Sequence, residues 1–270
     1  MSIEAGFDYS GADLDKTDVV LETESLRKEF GGLIAVEDVS IAVEDASITG
    51  LIGPNGAGKS TLFNVISGYH PPDGGRVRFG GSDITGYRPD DIAQFGLVRT
   101  FQTPRKLEGM TVRENMLVGA PGQRGESLLS LFTARDGVYE DEISNLERAA
   151  EMLELFELDH LADEPSTELS GGQFKLLELA RALMVEPDML LLDEPMAGVN
   201  PVLSEKLAGH IRMLNDELGI TLVIIEHDID FIMEIADPII VLDQGKVLME
   251  GSPEEVRNDD RVMEAYLGGT

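Results

Sequence analysis

"GPNGAGKST", residues 53–61, follows the apolar run "SITGLI" (47–52) directly and precedes a helical pattern that begins at Lys59. Its spacing is G-x-x-x-x-G-K-[ST], and an apolar strand before it with a helix after it is the setting in which that spacing has chemical meaning. The glycines let successive backbone N–H groups turn inward around a phosphate, and the helix N-terminus adds its partial positive charge. Lys59 can reach the outer phosphate oxygens, and the Ser60 hydroxyl can ligate Mg²⁺. An ordinary glycine-rich turn would supply the bend without placing Lys and Ser at the helix start. The nine residues Gly53, Pro54, Asn55, Gly56, Ala57, Gly58, Lys59, Ser60 and Thr61 are therefore the first candidate binding site.

Outward from this loop, short β-branched runs alternate with amphipathic stretches: "MLLLDEP" (189–195) before a helix after Pro201, and "ITLVIIEHD" (220–228) before "IDFIMEIA". Near-continuous apolar strands separated by helical patterns indicate an α/β fold with a parallel sheet covered on both faces. From about 101 to 183 no strong strand pattern appears, and "EDEISNLERAAEMLELFEL" places Ile143, Leu146, Ala150 and Leu153 on one side of a helix. That span reads as a helical insert. Residues 1–18 are acidic and aperiodic and read as a disordered tail. Ser252, Pro253 and Glu255 form a helix-start signature for a C-terminal helical extension over 251–270.

The chain carries 51 Asp and Glu against 21 Lys and Arg, a net charge of -30, and no cysteine. Such a surface repels nucleic-acid phosphates, so no nucleic-acid partner is expected. The same acidity suits a high-salt cytoplasm, because near 1 M salt the Debye length is only about 3 Å and self-repulsion is screened. The longest apolar runs fall far short of the roughly 20 residues that a membrane span needs. The N-terminus lacks the features of a signal peptide, so a cytoplasmic location is expected.

Other side chains extend the candidate site. Asp193 and Glu194 end the apolar run "MLLLDEP", where strand ends in open α/β sheets meet ligands. Asp193 suits a Mg²⁺ shell, and Glu194 can orient or deprotonate an attacking water. His227 ends another strand and points to the same crevice, whereas Glu226 before it is expected to face away as a structural residue. Gln102, in "VRTFQTP", can touch Mg²⁺ or the water. Phe30 could stack on a purine, and Val36 joins it among the nucleotide-contacting residues. Finally, "LSGGQ" (169–173) starts a helix with more than a cap requires. Ser170 alone would serve, which leaves Gly171, Gly172 and Gln173 to be explained.

Taken in order, this set resembles the nucleotide-binding subunit of ABC transporters: a Walker A loop, a glutamine at a segment boundary, an "LSGGQ" signature, a Walker B strand ending in Asp-Glu, and a strand ending in His. The resemblance implies a P-loop NTPase with a RecA-like parallel-sheet core, an antiparallel β segment and a helical subdomain (about 101–183) within one ATPase domain, 19–250. It implies that Phe30 stacks adenine, Gln102 forms the Q-loop, Glu194 is the general base and His227 senses the γ-phosphate. It also implies a head-to-tail dimer with two Mg·ATP, in which Ser170, Gly171, Gly172 and Gln173 face the nucleotide of the other subunit. "MAGVNP" is then the dimer-contacting loop, with Asn200 where many members carry Asp.

"GGLIAVEDVS", "VRTFQTPRKLEGMTVRENMLVG" and "IIEHDIDFIMEIAD" are most similar to the ATPases of branched-chain amino-acid importers, with urea or another amide importer as near alternatives. The implied partners are a second ATPase subunit, identical or paralogous, transmembrane permease subunits, and an extracellular solute-binding protein. The implied location is the cytoplasmic face of the membrane. Two other readings fit less well. A translation or repair ATPase of the family carries a second cassette or long coiled coils, absent here. A regulatory module that binds ATP without hydrolysis usually lacks the carboxylate or the histidine, and this chain has both.

Overall fold

The computed structural model describes residues 19–100, 107, 109–121 and 135–267, with side chains described from 141 in the last span. The acidic tail and Gln102 lie outside the described residues. The chain packs as two units. The first comprises the described parts of Met1–Gln102, Pro187–Ala197 and Ala208–Thr270, and the second those of Thr103–Glu186 and Gly198–Leu207.

The first unit holds two sheets. Strands β1 (Val19–Phe30), β2 (Leu33–Glu44), β4 (Gly74–Phe79) and β5 (Ser82–Asp83) form an antiparallel sheet in the order β2-β1-β4-β5. Phe30 pairs with Leu33 across a two-residue turn, so its ring stands at a hairpin tip. The second sheet has the order β10-β9-β3-β8-β7-β6, built from β3 (Ile48–Ile52), β6 (Leu97–Arg99), β7 (Met189–Asp193), β8 (Thr221–Ile225), β9 (Ile239–Asp243) and β10 (Lys246–Gly251). All its pairings are parallel except β10 with β9. Every residue of β3, β7 and β8 is buried. Strands covered on both faces cannot alternate apolar with polar, which is why these segments read as unbroken apolar runs.

Helix α1 (Lys59–Ile66) follows β3, and Leu62, Phe63, Val65 and Ile66 enter an apolar core that also draws on Leu26 and Val39 of the antiparallel sheet and Leu191 and Val223 of the parallel one. Each such side chain contributes roughly 1.5–3 kcal/mol when fully buried, so α1 is fixed from below while its first turn stays at the strand ends. Helix α2 (Pro89–Gln94) leads into β6.

In the second unit lie α3 (Val112–Leu117), α4 (Arg135–Leu155) and α5 (Gly171–Ala182). The apolar stripe of α4 differs from expectation. Ile143, Leu146 and Ala150 are exposed, and the buried positions are Ala149, Met152 and Leu153, followed by Phe156 beyond the helix end. Spacings of three and four residues continue from 149 to 156, so among the described residues of α4 the buried apolar positions fall toward its C-terminal end. Helix α6 (Pro201–Asp216) follows β7, and α7 (Ile229–Ile235) follows β8. The chain then runs through α8 (Pro253–Asn258) and α9 (Asp260–Leu267). At the start of α8, Ser252 and Glu255 make the reciprocal capping box that their spacing predicts.

Candidate nucleotide-binding site

The parallel sheet brings three candidate segments to one edge. Strands β3, β8 and β7 are consecutive neighbours and run the same way, so the loop after Ile52, His227 after β8, and Asp193 with Glu194 after β7 all lie at C-terminal strand ends. Helix α1 starts with Gly58 at its N-cap, no side-chain cap and no acid in its first turn. Its first N–H donors are thus left to another acceptor, and no acidic side chain of its own first turn competes with an anion for the helix dipole.

Lys59 is buried, with Nζ donating to the carbonyls of Gly53 at 2.7 Å and Pro54 at 3.2 Å. Burial pulls the Lys59 pKa down, and the negative charges of Glu194 and Asp193 push it back up. The lysine therefore feels both carboxylates of the neighbouring strand end.

Asp193 Oδ2 accepts a hydrogen bond from Arg99 Nη2 at 2.8 Å, in an ion pair whose side chains are 1% and 9% exposed. The Arg99 guanidinium also donates to Asn64 Oδ1 at 2.7 Å and lies near the rings of Phe63 and Tyr69. Asp193 Oδ1 is buried with no hydrogen-bond partner among the described residues. A buried carboxylate oxygen without a partner fits a Mg²⁺ ligand, and the exposed Ser60 hydroxyl at the start of α1 supplies a second oxygen. Mg²⁺, when bound, would neutralise charge on the phosphate oxygens. Arg99 is the residue that sequence reasoning missed. Its signal was a lone Arg three positions before Gln102, which carries no meaning until β6 and β7 pair.

Glu194 adopts φ +52, outside the regions that non-glycine residues favour. Its N–H continues the ladder by donating to Ile225 O at 2.9 Å, and its Oε1 lies 2.8 Å from His227 Nε2. The backbone thus swings one carboxylate out of the strand line and toward the histidine. Glu226 is buried, and its Oε1 accepts the Met196 N–H at 2.6 Å while Oε2 accepts the His227 N–H at 3.1 Å. Glu226 does not simply face away: its carboxylate ties the turn after Glu194 to the segment that carries His227.

Phe30 is 43% exposed, with the His70 ring edge-on at 5.3 Å and Lys28 Nζ 5.3 Å from its centroid. It keeps surface for a flat ligand. Val36 requires a correction: it is fully buried in the core, so its side chain presents no surface to a nucleotide. Its β-strand instead backs the loop, since the Ala35 carbonyl would lie 2.3 Å from a Cβ on Gly58.

In the second unit, the residues after Leu169 are more fully explained than the sequence allowed. Ser170 caps α5 by accepting from the Gln173 N–H, and Gln173 Oε1 accepts the Ser170 N–H at 3.0 Å. Gln173 is therefore the second half of a capping box. At Gly172 a Cβ would lie 1.5 Å from Leu203 Cδ2, so packing against α6 requires its bare Cα. A Cβ on Gly171 would meet nothing within 4 Å, so packing gives no reason for glycine there. Asn200 caps α6, its Oδ1 accepting the Leu203 N–H at 3.1 Å.

The profile of the family described as ABC transporter matches residues 36–197 of the chain. The chain belongs to that family. A second profile, described as branched-chain amino acid ATP-binding cassette transporter, matches residues 246–270. The chain is 45% identical to a probable branched-chain amino acid transport ATP-binding protein of Archaeoglobus fulgidus, over 92% of this chain and 95% of the relative. It is 40% identical to a high-affinity branched-chain amino acid transport ATP-binding protein of Pseudomonas aeruginosa, over 92% and 98%. The crystal structure of the ADP conformation of MJ1267, an ATP-binding cassette of an ABC transporter, superposes with a TM-score of 0.81 at 44% identity, covering 93% of this chain and 100% of that one.

As an ABC ATPase, the chain binds ATP and couples its hydrolysis to transport. The expected fold class holds, with a parallel-sheet core, an antiparallel sheet and a helical part. Among the described residues, no helix is long and apolar enough to cross a membrane.

Proposed function

We propose that this chain is the ATPase of a branched-chain amino-acid importer. Its relatives of that name at 45% and 40% identity and the 246–270 match support the substrate class. The catalytic reading rests on one observation: Lys59, Glu194 and His227 are carried at the ends of three adjacent parallel strands.

In this reading the start of α1 and Lys59 hold the ATP phosphates, Ser60, Asp193 and Gln102 complete the Mg²⁺ shell, and Phe30 stacks on adenine. Glu194 positions and deprotonates the attacking water, and His227 holds the Glu194 carboxylate in place. The "LSGGQ" helix start, with the open Gly171, serves the nucleotide of a second ATPase subunit, identical or paralogous. The helical insert at about 101–183 receives the permease, and an extracellular solute-binding protein delivers substrate to it. The assembly works at the cytoplasmic face of the membrane, and the acidic surface suits a high-salt cytoplasm.

The test is reconstitution of this subunit with its partner permease subunits and solute-binding protein, in liposomes holding ATP and Mg²⁺. ATP-dependent uptake of leucine that exceeds uptake of urea is expected. Urea uptake without leucine uptake would assign the amide-importer alternative.

A further inference from the structure

The C-terminal helix reaches the phosphate loop. Tyr266, on α9, accepts a hydrogen bond at its Oη from the backbone N–H of Gly53 at 2.8 Å, across 213 positions of sequence. The segment that delivers it is fastened along its length: Val256 of α8 and Val262 of α9 are buried, and the capping box at Ser252 sets the direction of the chain.

Gly53 needs such a partner. The register of β3 ends at Leu51↔Ile225 on one side and Ile52↔Val241 on the other, so no strand pairing extends to Gly53. The residue is buried, and a buried N–H without an acceptor is costly. Its Cα lies close against the neighbouring strand, since at φ +150 a Cβ would stand 2.1 Å from the Leu242 carbonyl. On the other side, its carbonyl accepts from Lys59 Nζ at 2.7 Å. The first residue of the loop is thus held through its carbonyl by the lysine that reads phosphate and through its N–H by the last helix of the chain.

We infer that Tyr266 is a positioning residue for nucleotide binding, its hydroxyl holding Gly53 and hence the loop in the phosphate-receiving conformation. Binding to a loop that already has its bound shape avoids the cost of ordering it, so losing the restraint lowers affinity. The Tyr266 ring does not enter the chemistry. Burial raises the phenol pKa, so the hydroxyl stays neutral and the contact persists across the physiological range. The C-terminal segment 246–270, which the branched-chain amino-acid profile matches, thereby acts on the nucleotide site. This inference rests on the phosphate-loop reading, whose own failure would appear as wild-type protein that binds no MgADP.

The test uses the full chain and Tyr266→Phe, which keeps the ring and removes only the hydroxyl. Amide hydrogen exchange at Gly53 and the dissociation constant for MgADP are measured on both proteins, with steady-state ATP hydrolysis beside them. Faster exchange at Gly53, weaker MgADP binding by about 2- to 10-fold, as one neutral hydrogen bond implies, and a raised KM with kcat nearly unchanged are expected. Unchanged Gly53 exchange would show that the hydroxyl does not hold the amide and overturn the inference. Faster exchange with unchanged MgADP affinity would overturn it equally, since the contact would then be structural only.

Discussion

Glu194 Oε1 and His227 Nε2 lie 2.8 Å apart across the ends of neighbouring strands β7 and β8, and the carboxylate side chain is 15% exposed against 46% for the imidazole. The positive φ of Glu194 is the local strain that aims the carboxylate. Backbone strain of this kind costs about 1–3 kcal/mol and persists where surrounding structure enforces it; here Ile225 O and the Glu226 carboxylate do so from either side.

Glu194→Gln keeps the shape and removes the proposed base. Hydrolysis is expected to fall by about 10²- to 10⁴-fold while ATP affinity is retained, as read by phosphate release and equilibrium binding. His227→Ala should lose turnover without adding its full effect to that of Glu194→Gln, because the two act as a unit. Fully additive losses would separate them.

Arg99→Ala strands the Asp193 carboxylate, 1% exposed, without its ion-pair partner. Removing one member of a buried pair costs about 3–5 kcal/mol, and a lowered unfolding midpoint should show it. Arg99→Lys should recover only part, since a single ammonium does not reproduce the guanidinium's fork to Asp193 and Asn64.

Gly171→Ala and Gly172→Ala should diverge in stability although they are adjacent. The first adds a methyl group to open space and gains up to about 1 kcal/mol of helix propensity. The second drives a methyl group into Leu203 and should lose about 1–3 kcal/mol to overpacking. Chemical denaturation of the two variants beside the wild type decides it.

Glu178 of α5 is buried, and that burial pushes its pKa from 4.5 up to about 7 despite Arg181 at 3.9 Å. The folded state holds this proton more tightly than the unfolded chain. Its stabilising contribution is full below pH 4.5 and is lost as the pH rises through about 7. Glu178→Gln should therefore be more stable than wild type at pH 8 by about 1–3 kcal/mol, with the difference vanishing near pH 4.5. An equal difference at both pH values would refute the assignment.

A net charge of -30 should make stability depend on salt. The unfolding midpoint is expected to rise from dilute buffer to molar KCl, each kcal/mol of relieved repulsion adding roughly 2–4 °C. Equal midpoints would remove the case for adaptation to high salt.

The amino-acid sequence by itself determined what depends on neighbours along the chain. A phosphate-binding turn needs its glycines, Lys59 and Ser60 within nine residues, and fully buried strands need unbroken apolar runs, so the loop, β3, β7 and β8 were all legible. The capping box at Ser252 was legible for the same reason. The tertiary structure decided what depends on residues that meet only after folding. Arg99 and Asp193 are 94 positions apart and acquire a shared role only because β6 pairs with β7. Val36, expected among the nucleotide-contacting residues, is drawn into the core by its sheet. Three of the four residues of the predicted α4 stripe stayed exposed because periodicity shows which residues share a face but not how far a partner extends along it. Gly172 illustrates the difference most directly: its place in a motif was visible in the sequence, but its need for a bare Cα depends on Leu203, which the fold alone brings beside it.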